Sequence, residues 1–456
     1  MTRDFEGANN VDEIIVKLAE YATSIDGSGV SERSRSEVGR RLIDSLACAY
    51  GGLDSAPVAA LRELCRTREL PHGCAVWGSG RRTTPELAAM TNATSIRFLD
   101  QNDYTVGGHP SDNIAAVIAA CEWVDGTVDD LVAGIIVNYE VFGELGRLLI
   151  RYRGWDQGTT AIIAATCAIG RVLNLSLDEV ANAVGMVATS NIATGKVRRG
   201  QLSMWKGVAG PYAAQCALTA ASMASMGITA PQDAFAGEYG FWEQVSGPFE
   251  IERLDPNDEP WYIFKAGYKY WPVQFDAQPA VWLGQRIRDR VALDDVKRIE
   301  VETSEWTWKG IANDPTKWAP TNRETADHSL PYILAVALST GGISADDFSQ
   351  DSIENKAYRR LMPLISVQAA ADITASALEY CTMRASVTMS DGILHDFEVS
   401  EPRSKAMTDE ELDEKWRTLV SKSGWADGSE GLHSSLRSLD GSQPVRSLMA
   451  PLTKVE

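Results

Sequence analysis

Apolar residues over the first 250 positions recur at helical spacing. After Asn113, Ile114, Val117, Ile118 and Cys121 fall at i, i+3, i+4 and i+7, the mark of one buried helical face. Ser111 or Asp112 stands where an N-cap is expected. The free N–H groups and the positive dipole end of that helix then point towards His109, a corner suited to a small anion and a proton-transfer pair. Ser34-x-x-Glu37 reads as a capping box ahead of Val38, Leu42, Ile43 and Leu46, with Gly51-Gly52 as the stop. Ser176-x-x-Glu179 is a second box, ahead of Val180, Val184 and Val187. Residues 128–150 and 159–173 are long and apolar on one face, and the latter is crowded with Ala and Thr, which let helices approach closely. The 203–226 stretch is similar, with Pro211 marking a kink or a helix start.

After about residue 270 the period changes. Val296 to Thr303 alternates as a strand does, with Ile299 and Val301 on one face. Val387-Thr-Met389 and Ile393 to Val399 flank Asp391-Gly392, a hairpin signal. A helix is expected around 366–382, and another from Thr408-Asp-Glu-Glu-Leu412 onward. From about 423 the chain is rich in Ser and Gly and reads as irregular, and no internal repeat is visible. The pattern predicts a mainly α protein in which a helical domain (1–270, resumed at 400–456) carries a smaller inserted α+β domain (271–399).

Composition sharpens this picture. The chain has 456 residues, 44% of them hydrophobic, longer than one core usually grows. A net charge of −19 argues against nucleic acid as a partner. It also repels a polycarboxylate at long range, so a site for one must bring its own cations. The seven cysteines are scattered with no CxxC pair, and Cys121, Cys167 and Cys216 lie among small apolar residues as core positions do. The five histidines are dispersed along the chain, so no metal site is predicted. Met1-Thr-Arg-Asp-Phe-Glu6 lacks the order of a signal peptide, and no window reaches the roughly 18 apolar residues of a membrane span. A soluble, reducing, cytoplasmic setting is the expectation, with no membrane partner.

Leu99-Asp-Gln-Asn-Asp103, then Gly108-His-Pro-Ser-Asp-Asn113, then Leu202-Ser-Met-Trp-Lys206 resemble the motifs of the MmgE/PrpD family, and within it the 2-methylcitrate dehydratases. Arg41-Leu-Ile-Asp-Ser-Leu46, Gly154-Trp-Asp-Gln-Gly158, Tyr268-Lys-Tyr-Trp-Pro272, Glu324-Thr-Ala-Asp-His-Ser-Leu-Pro-Tyr332 and Met407-Thr-Asp-Glu-Glu-Leu412 agree in order along nearly the whole chain. The resemblance implies a large all-helical domain with a smaller α+β lid, a homodimer, and a site in the cleft between the domains. It implies a small di- or tricarboxylate substrate and no metal or organic cofactor. The related reactions are dehydration of 2-methylcitrate, decarboxylation of cis-aconitate and epimerisation of iminodisuccinate.

All three move a proton on a carbon beside a carboxylate, and the enediolate-like charge that results needs cations or directed N–H groups. The resemblance makes Lys206 a substrate clamp, and Lys269 is a second clamp or else a snorkelling surface lysine. Asp100 matches the family's first motif aspartate as general base, with Asp103 orienting it or sharing its proton; the plainer reading makes both turn residues. His109 is then the acid that assists a leaving hydroxyl, or a base in an epimerisation, and its place ahead of a helix favours the neutral ring. Asp156 is a site residue or a helix cap. Arg198 and Arg199 supply local positive field or lie on the surface. His328 is expected to be structural. Dehydratases of the family tend to carry histidine where this chain has Gln157 and Asp276, and decarboxylases where it has Asp156 and Gln274, which also stands as a substrate-binding candidate. The reading is a cofactor-independent lyase dehydrating a small hydroxy-polycarboxylate. Its alternatives are a dicarboxylate epimerase, an aconitate-type decarboxylase, and a polycarboxylate binder without activity.

Overall fold

The structure, a computed structural model, describes residues 12–149 and 154–453. The N-terminal stretch read against a leader, and residue 150 at the end of the expected 128–150 helix, lie outside the described residues.

Helical spacing becomes helix through most of the first 225 residues: α1 (Glu13–Ser24), α2 (Glu32–Gly52), α3 (Ala56–Arg66), α4 (Pro85–Phe98), α5 (Ile114–Trp123), α6 (Val128–Leu148), α7 (Gly158–Val172), α8 (Leu177–Ser190) and α9 (Trp205–Ser225). One antiparallel pair, β1 (Glu69–Val76) and β2 (Arg81–Thr83), interrupts them; the all-helical reading of this region missed it. Two capping boxes start their helices as the residue chemistry demands, Ser176 with Glu179 at α8 and Thr127 with Asp130 at α6. Ser34-Glu37 is not one. Ser31 caps α2 a turn earlier, Ser34 is buried inside the helix with its hydroxyl on Glu259, and Glu37 pairs with Arg41 at 2.8 Å. Small residues bring the helices close: a Cβ at Gly52 would run into the Ser95 carbonyl, which places α2 and α4 in backbone contact. α5 is buried on all sides rather than along one face. Pro211 lies inside α9, not at its start.

The second region begins with α10 (Gln278–Arg288) and β3 (Val296–Thr303), followed by α11 (Glu305–Ile311), α12 (Arg323–Ala326), α13 (Leu330–Thr340), α14 (Gln350–Ile353) and α15 (Lys356–Leu361). Then come β4 (Ile365–Ala369), α16 (Ala371–Ser376), β5 (Tyr380–Met389) and β6 (Leu394–Pro402). The sheet order is β4-β3-β5-β6, with β4 parallel to β3 and the rest antiparallel. The Asp391-Gly392 hairpin forms, Gly392 taking the left-handed region (φ 88°) that the turn requires. Of the helix expected over 366–382 only the short α16 (Ala371–Ser376) forms, between β4 and β5. Ile365 and Val367 pair beside Ile299 and Val301 in the sheet, and that burial outweighs the helix-forming alanines behind them.

The chain then returns to the helices with α17 (Asp409–Ser421), boxed by Thr408 and Glu411, and α18 (Ser429–Ser438) and α19 (Val445–Leu448). The stretch after 423 is therefore not irregular: Leu432 and Leu436, a turn apart, are buried, and Gly39 of α2 lets the α18 backbone approach. Buried apolar side chains form two main clusters. One comes from residues 14–268 and 407–452, the other from 273–399. Tyr104 of the first stretch meets Phe275 and Cys381 of the second in a small cluster beside the cleft described next. Among the described residues no helix is long and apolar enough to cross a membrane.

Candidate active site

A cleft of about 280 Å³ is lined from both regions, by Arg97, Asp100, His109 and Lys269 on one side and by Lys309 and His328 on the other. Its hub is Asp100. This residue follows the last turn of α4 in the left-handed region (φ 54°), which Asp tolerates better than most residues, and its N–H bonds the Arg97 carbonyl at 3.1 Å. The turn aims its carboxylate at three cations. Arg97 Nη1 donates to Oδ1 at 2.7 Å, Lys269 Nζ pairs with the same oxygen and donates to the Asp100 carbonyl at 2.8 Å, and Lys206 Nζ lies 3.4 Å from Oδ2. Burial alone would raise the Asp100 pKa, but Arg97, Lys269 and Lys206 hold it well below the usual carboxylate range. Lys206, in the first turn of α9, is shared with Asp327 at 2.6 and 2.7 Å. Three buried cations thus face two ionised carboxylates, and Arg198, Arg199 and Lys309 add positive charge around the cleft. The acidic chain supplies its own local cations.

Two imidazoles flank this hub. His109 Nε2 lies 4.0 Å from Asp100 Oδ1, and His328 Nδ1 lies 3.6 Å from Oδ2. Burial, then Arg97 and Lys269, push the His109 pKa well below the ordinary range, so the ring is neutral. That agrees with the expected protonation state; His109 stands ahead of the short 3₁₀ turn Pro110–Asn113 that runs into α5, with burial and the two cations as the main causes. Its Nδ1 faces the Asp103 carbonyl at 2.5 Å, which can only accept. Nδ1 therefore carries the hydrogen and Nε2 keeps a bare lone pair. His328 Nδ1 faces the Asp327 carboxylate at 2.7 Å, with the same consequence. Burial and then Lys206 bring the His328 pKa down to about 4, against the pull of Asp327. Expected to be structural, His328 lines the cleft. The signal that pointed to it was its neighbour: an Asp-His pair in which the first residue fixes the tautomer of the second.

The other candidates separate. Asp103 lies behind the site with its carboxylate on Ser111, on Tyr139 at 2.6 Å and near Arg41 at 3.6 Å, and it neither orients Asp100 nor shares a proton with it. It also takes the Ser111 N–H at 3.3 Å, so the short turn at Pro110–Asn113 offers its N–H groups to the protein and not to an external anion; neither Ser111 nor Asp112 caps α5 by a side chain. Lys269 is fully buried, not a surface lysine. Asp156 lines the cleft, accepts from the Gly158 N–H at 3.2 Å at the start of α7, and pairs with Arg198 at 2.9 Å. Arg199 reaches across to the Lys309 carbonyl at 2.9 Å. Gln274 lines the cleft, its amide on Asp276 at 2.9 Å. Gln157 donates to Asp112 and accepts from the His109 N–H, each at 3.0 Å, so it holds the His109 backbone.

Dispersal along the chain was no bar to a metal-like cluster, because Asp100, Asp327 and His328 offer ligand atoms within 4.8 Å of one another. The charge of those carboxylates is already met by Lys206 and Lys269, and a divalent ion would have to displace an ammonium to bind.

The MmgE/PrpD N-terminal domain matches residues 16–254 and the MmgE/PrpD C-terminal domain residues 271–432. The chain is 25% identical to the mitochondrial 2-methylcitrate dehydratase of Yarrowia lipolytica, over 86% of this chain and 80% of that one. It is 26% identical to the 2-methylcitrate dehydratase of Cupriavidus necator, over 74% and 73%. It is also 26% identical to a cis-aconitate decarboxylase-like protein of Aspergillus oryzae, over 96% of each chain.

Proposed function

The chain belongs to the MmgE/PrpD family, and from that membership and the chemistry of its cleft we propose that it dehydrates a small hydroxy-polycarboxylate of the 2-methylcitrate type. The observation that carries this reading is the pair of neutral imidazoles, each with Nδ1–H held by an acceptor, on either side of a cation-saturated carboxylate.

Substrate carboxylates bind to Arg97 and Lys269, with Arg199 and Lys309 at the rim. Their negative charge offsets the cations that keep the imidazoles unprotonated. Of the two rings, His328 takes up a proton more readily, because Asp327 backs its imidazolium. His109, beside Arg97 and Lys269, stays neutral. Its bare Nε2 removes the proton from the carbon next to a carboxylate, and Lys269 and Arg97 stabilise the enediolate charge. The C–O bond then breaks, and the hydroxyl leaves as water with the proton from His328. Asp100 organises the cations; three of them lower its basicity too far for it to be the base. The reading also includes a homodimer, checked by sedimentation velocity, and closure of the 271–399 region over the cleft.

The test is proton NMR of the purified protein in D2O with 2-methylcitrate, citrate, cis-aconitate and iminodisuccinate offered separately. Signals of an unsaturated tricarboxylate are expected, and they should vanish in His109→Asn. Deuterium entering an α-carbon with no new alkene would overturn dehydration in favour of epimerisation.

A further inference from the structure

A second cavity, of about 390 Å³, lies apart from the cleft and shares no lining residue with it. Tyr21 of α1 and Glu140 of α6 form its buried end, and the irregular segment 252–261 forms its exposed mouth. The lining carries five carboxylates, Glu140, Glu252, Asp255, Asp258 and Glu259, against one base, Arg253. Among the described residues only Glu252 of the five has an ion-pair partner, Arg147 at 3.2 Å. Arg253 lies instead beside the Trp261 ring, 5.1 Å from its centre.

Two buried groups distinguish this cavity from an ordinary solvated acidic surface. Glu140 is 2% exposed, and burial brings its pKa up to about 7. Backbone N–H groups oppose that rise, from Trp261 at 2.9 Å and Ile263 at 3.0 Å, but no cation does. Tyr21 is 4% exposed and close enough to Glu140 to feel its charge, yet its hydroxyl has no hydrogen-bond partner among the described residues. A buried hydroxyl left unpaired is costly, and this one faces the cavity.

The spacing of the acids selects the kind of cation. A single metal ion needs its ligands gathered about 2–2.6 Å from one centre. Among the described residues no three of these carboxylates bring oxygens within 4.8 Å of one another. The space is also far larger than the roughly 10–15 Å³ that a cavity needs to hold one water. Acids divided between a buried end and a mouth match a chain that carries several ammonium groups. The half-exposed Trp261 ring gives such a chain a face to lie on, as the Lys265 ammonium, 4.3 Å from the ring centre, already does.

We propose that this cavity binds a linear aliphatic polyamine, one ammonium donating to the Tyr21 oxygen and the Glu140 carboxylate and the others meeting the acids of the mouth. The site stands independently of the chemistry assigned to the cleft.

Calorimetric titration of the full chain at low salt, with spermidine, putrescine and Mg2+ offered separately, tests this. Spermidine is expected to fill a single site, more tightly than putrescine, and to weaken as salt is added. Tyr21→Phe removes only a hydroxyl without a protein partner, so stability to urea should hold while spermidine affinity drops roughly tenfold. Asp258→Asn, an exposed change at the mouth, should also weaken spermidine. Many weak sites unaffected by Tyr21→Phe would reveal general counter-ion attraction to a chain of net charge −19 and overturn the proposal. Tighter binding of Mg2+ than of either amine, or no binding of the amines, would overturn it as well.

Discussion

Lys269 and the two cleft histidines titrate on opposite sides of neutrality, and that sets the pH response of the site. Burial, opposed by Asp100, brings the Lys269 pKa down to about 8, so its ammonium is lost as pH rises through that value. In the proposed role of base His109 has to be neutral, and its pKa lies well below the ordinary 6.5. Because His328, near 4 in the free enzyme, has to take up its proton when substrate binds, kcat/KM is expected to decline as pH rises through the mildly acid and neutral range and to fall more steeply above pH 8, where Lys269 loses its charge. Lys269→Arg should move the alkaline fall upward, since arginine stays charged there. A pH–rate profile with a bell centred on an ordinary histidine value would contradict this assignment. Residue identity made several of these groups legible: Asp100, His109 and Lys269 all line the cleft. Lys206 joins them from behind through Asp100 and Asp327. What spacing along the chain cannot give is direction. Asp103 lies only three residues from Asp100, yet the left-handed turn at Asp100 sends the two carboxylates to different partners. His328 is distant in sequence and meets Asp100 only through the fold.

At the scale of elements, caps and periods located most helices, because the Ser176 and Thr408 boxes and the apolar stripes act locally. The misreadings fall where a neighbour decides. Residues 365–369 become a strand because β3 offers a pairing edge, and α18 forms because α2 offers a glycine-lined surface for Leu436. The same dependence on neighbours reaches the active site through α17. Its Lys415 is buried and donates to Asp44 of α2 at 2.6 Å, to the Gln101 carbonyl at 2.7 Å and to the Lys269 carbonyl at 3.0 Å. One ammonium thus ties together the two segments that present Asp100 and Lys269. Lys415→Met would leave Asp44 buried without its cation, a loss of about 3–5 kcal/mol, read by urea denaturation. Enough protein should remain folded at low temperature to show a fall in kcat as well. Stability within about 1 kcal/mol of wild type would mean that the contact carries no such load.

For the whole molecule the charges pull in two directions. A net −19 repels a trianion at long range, while the cleft attracts it at short range. Screening weakens the first far more than the second, because the site cations are buried and the Debye length shrinks from about 30 Å at 0.01 M salt to about 8 Å at 0.15 M. kcat/KM for a tricarboxylate is therefore expected to rise over that range and then level off, measured by initial rates at fixed pH. A monotonic fall would mean that the field of the cleft dominates even at a distance.

The bond between Lys415 and Asp44 has a further consequence, in time. The two residues are 371 positions apart, and at about 5–20 residues per second a ribosome takes roughly 20–75 s to travel from one to the other. Throughout that interval the nascent chain holds an acid on α2 whose counter-ion has yet to be made, and the loop that carries Asp100 has no tether from α17. The first helices can collapse early, but they wait for the excursion through the sheet to finish before their centre is sealed. Each new copy of the enzyme therefore passes through a prolonged, half-built stage, open to chaperones and proteases, and becomes an active molecule only after Lys415 has been made.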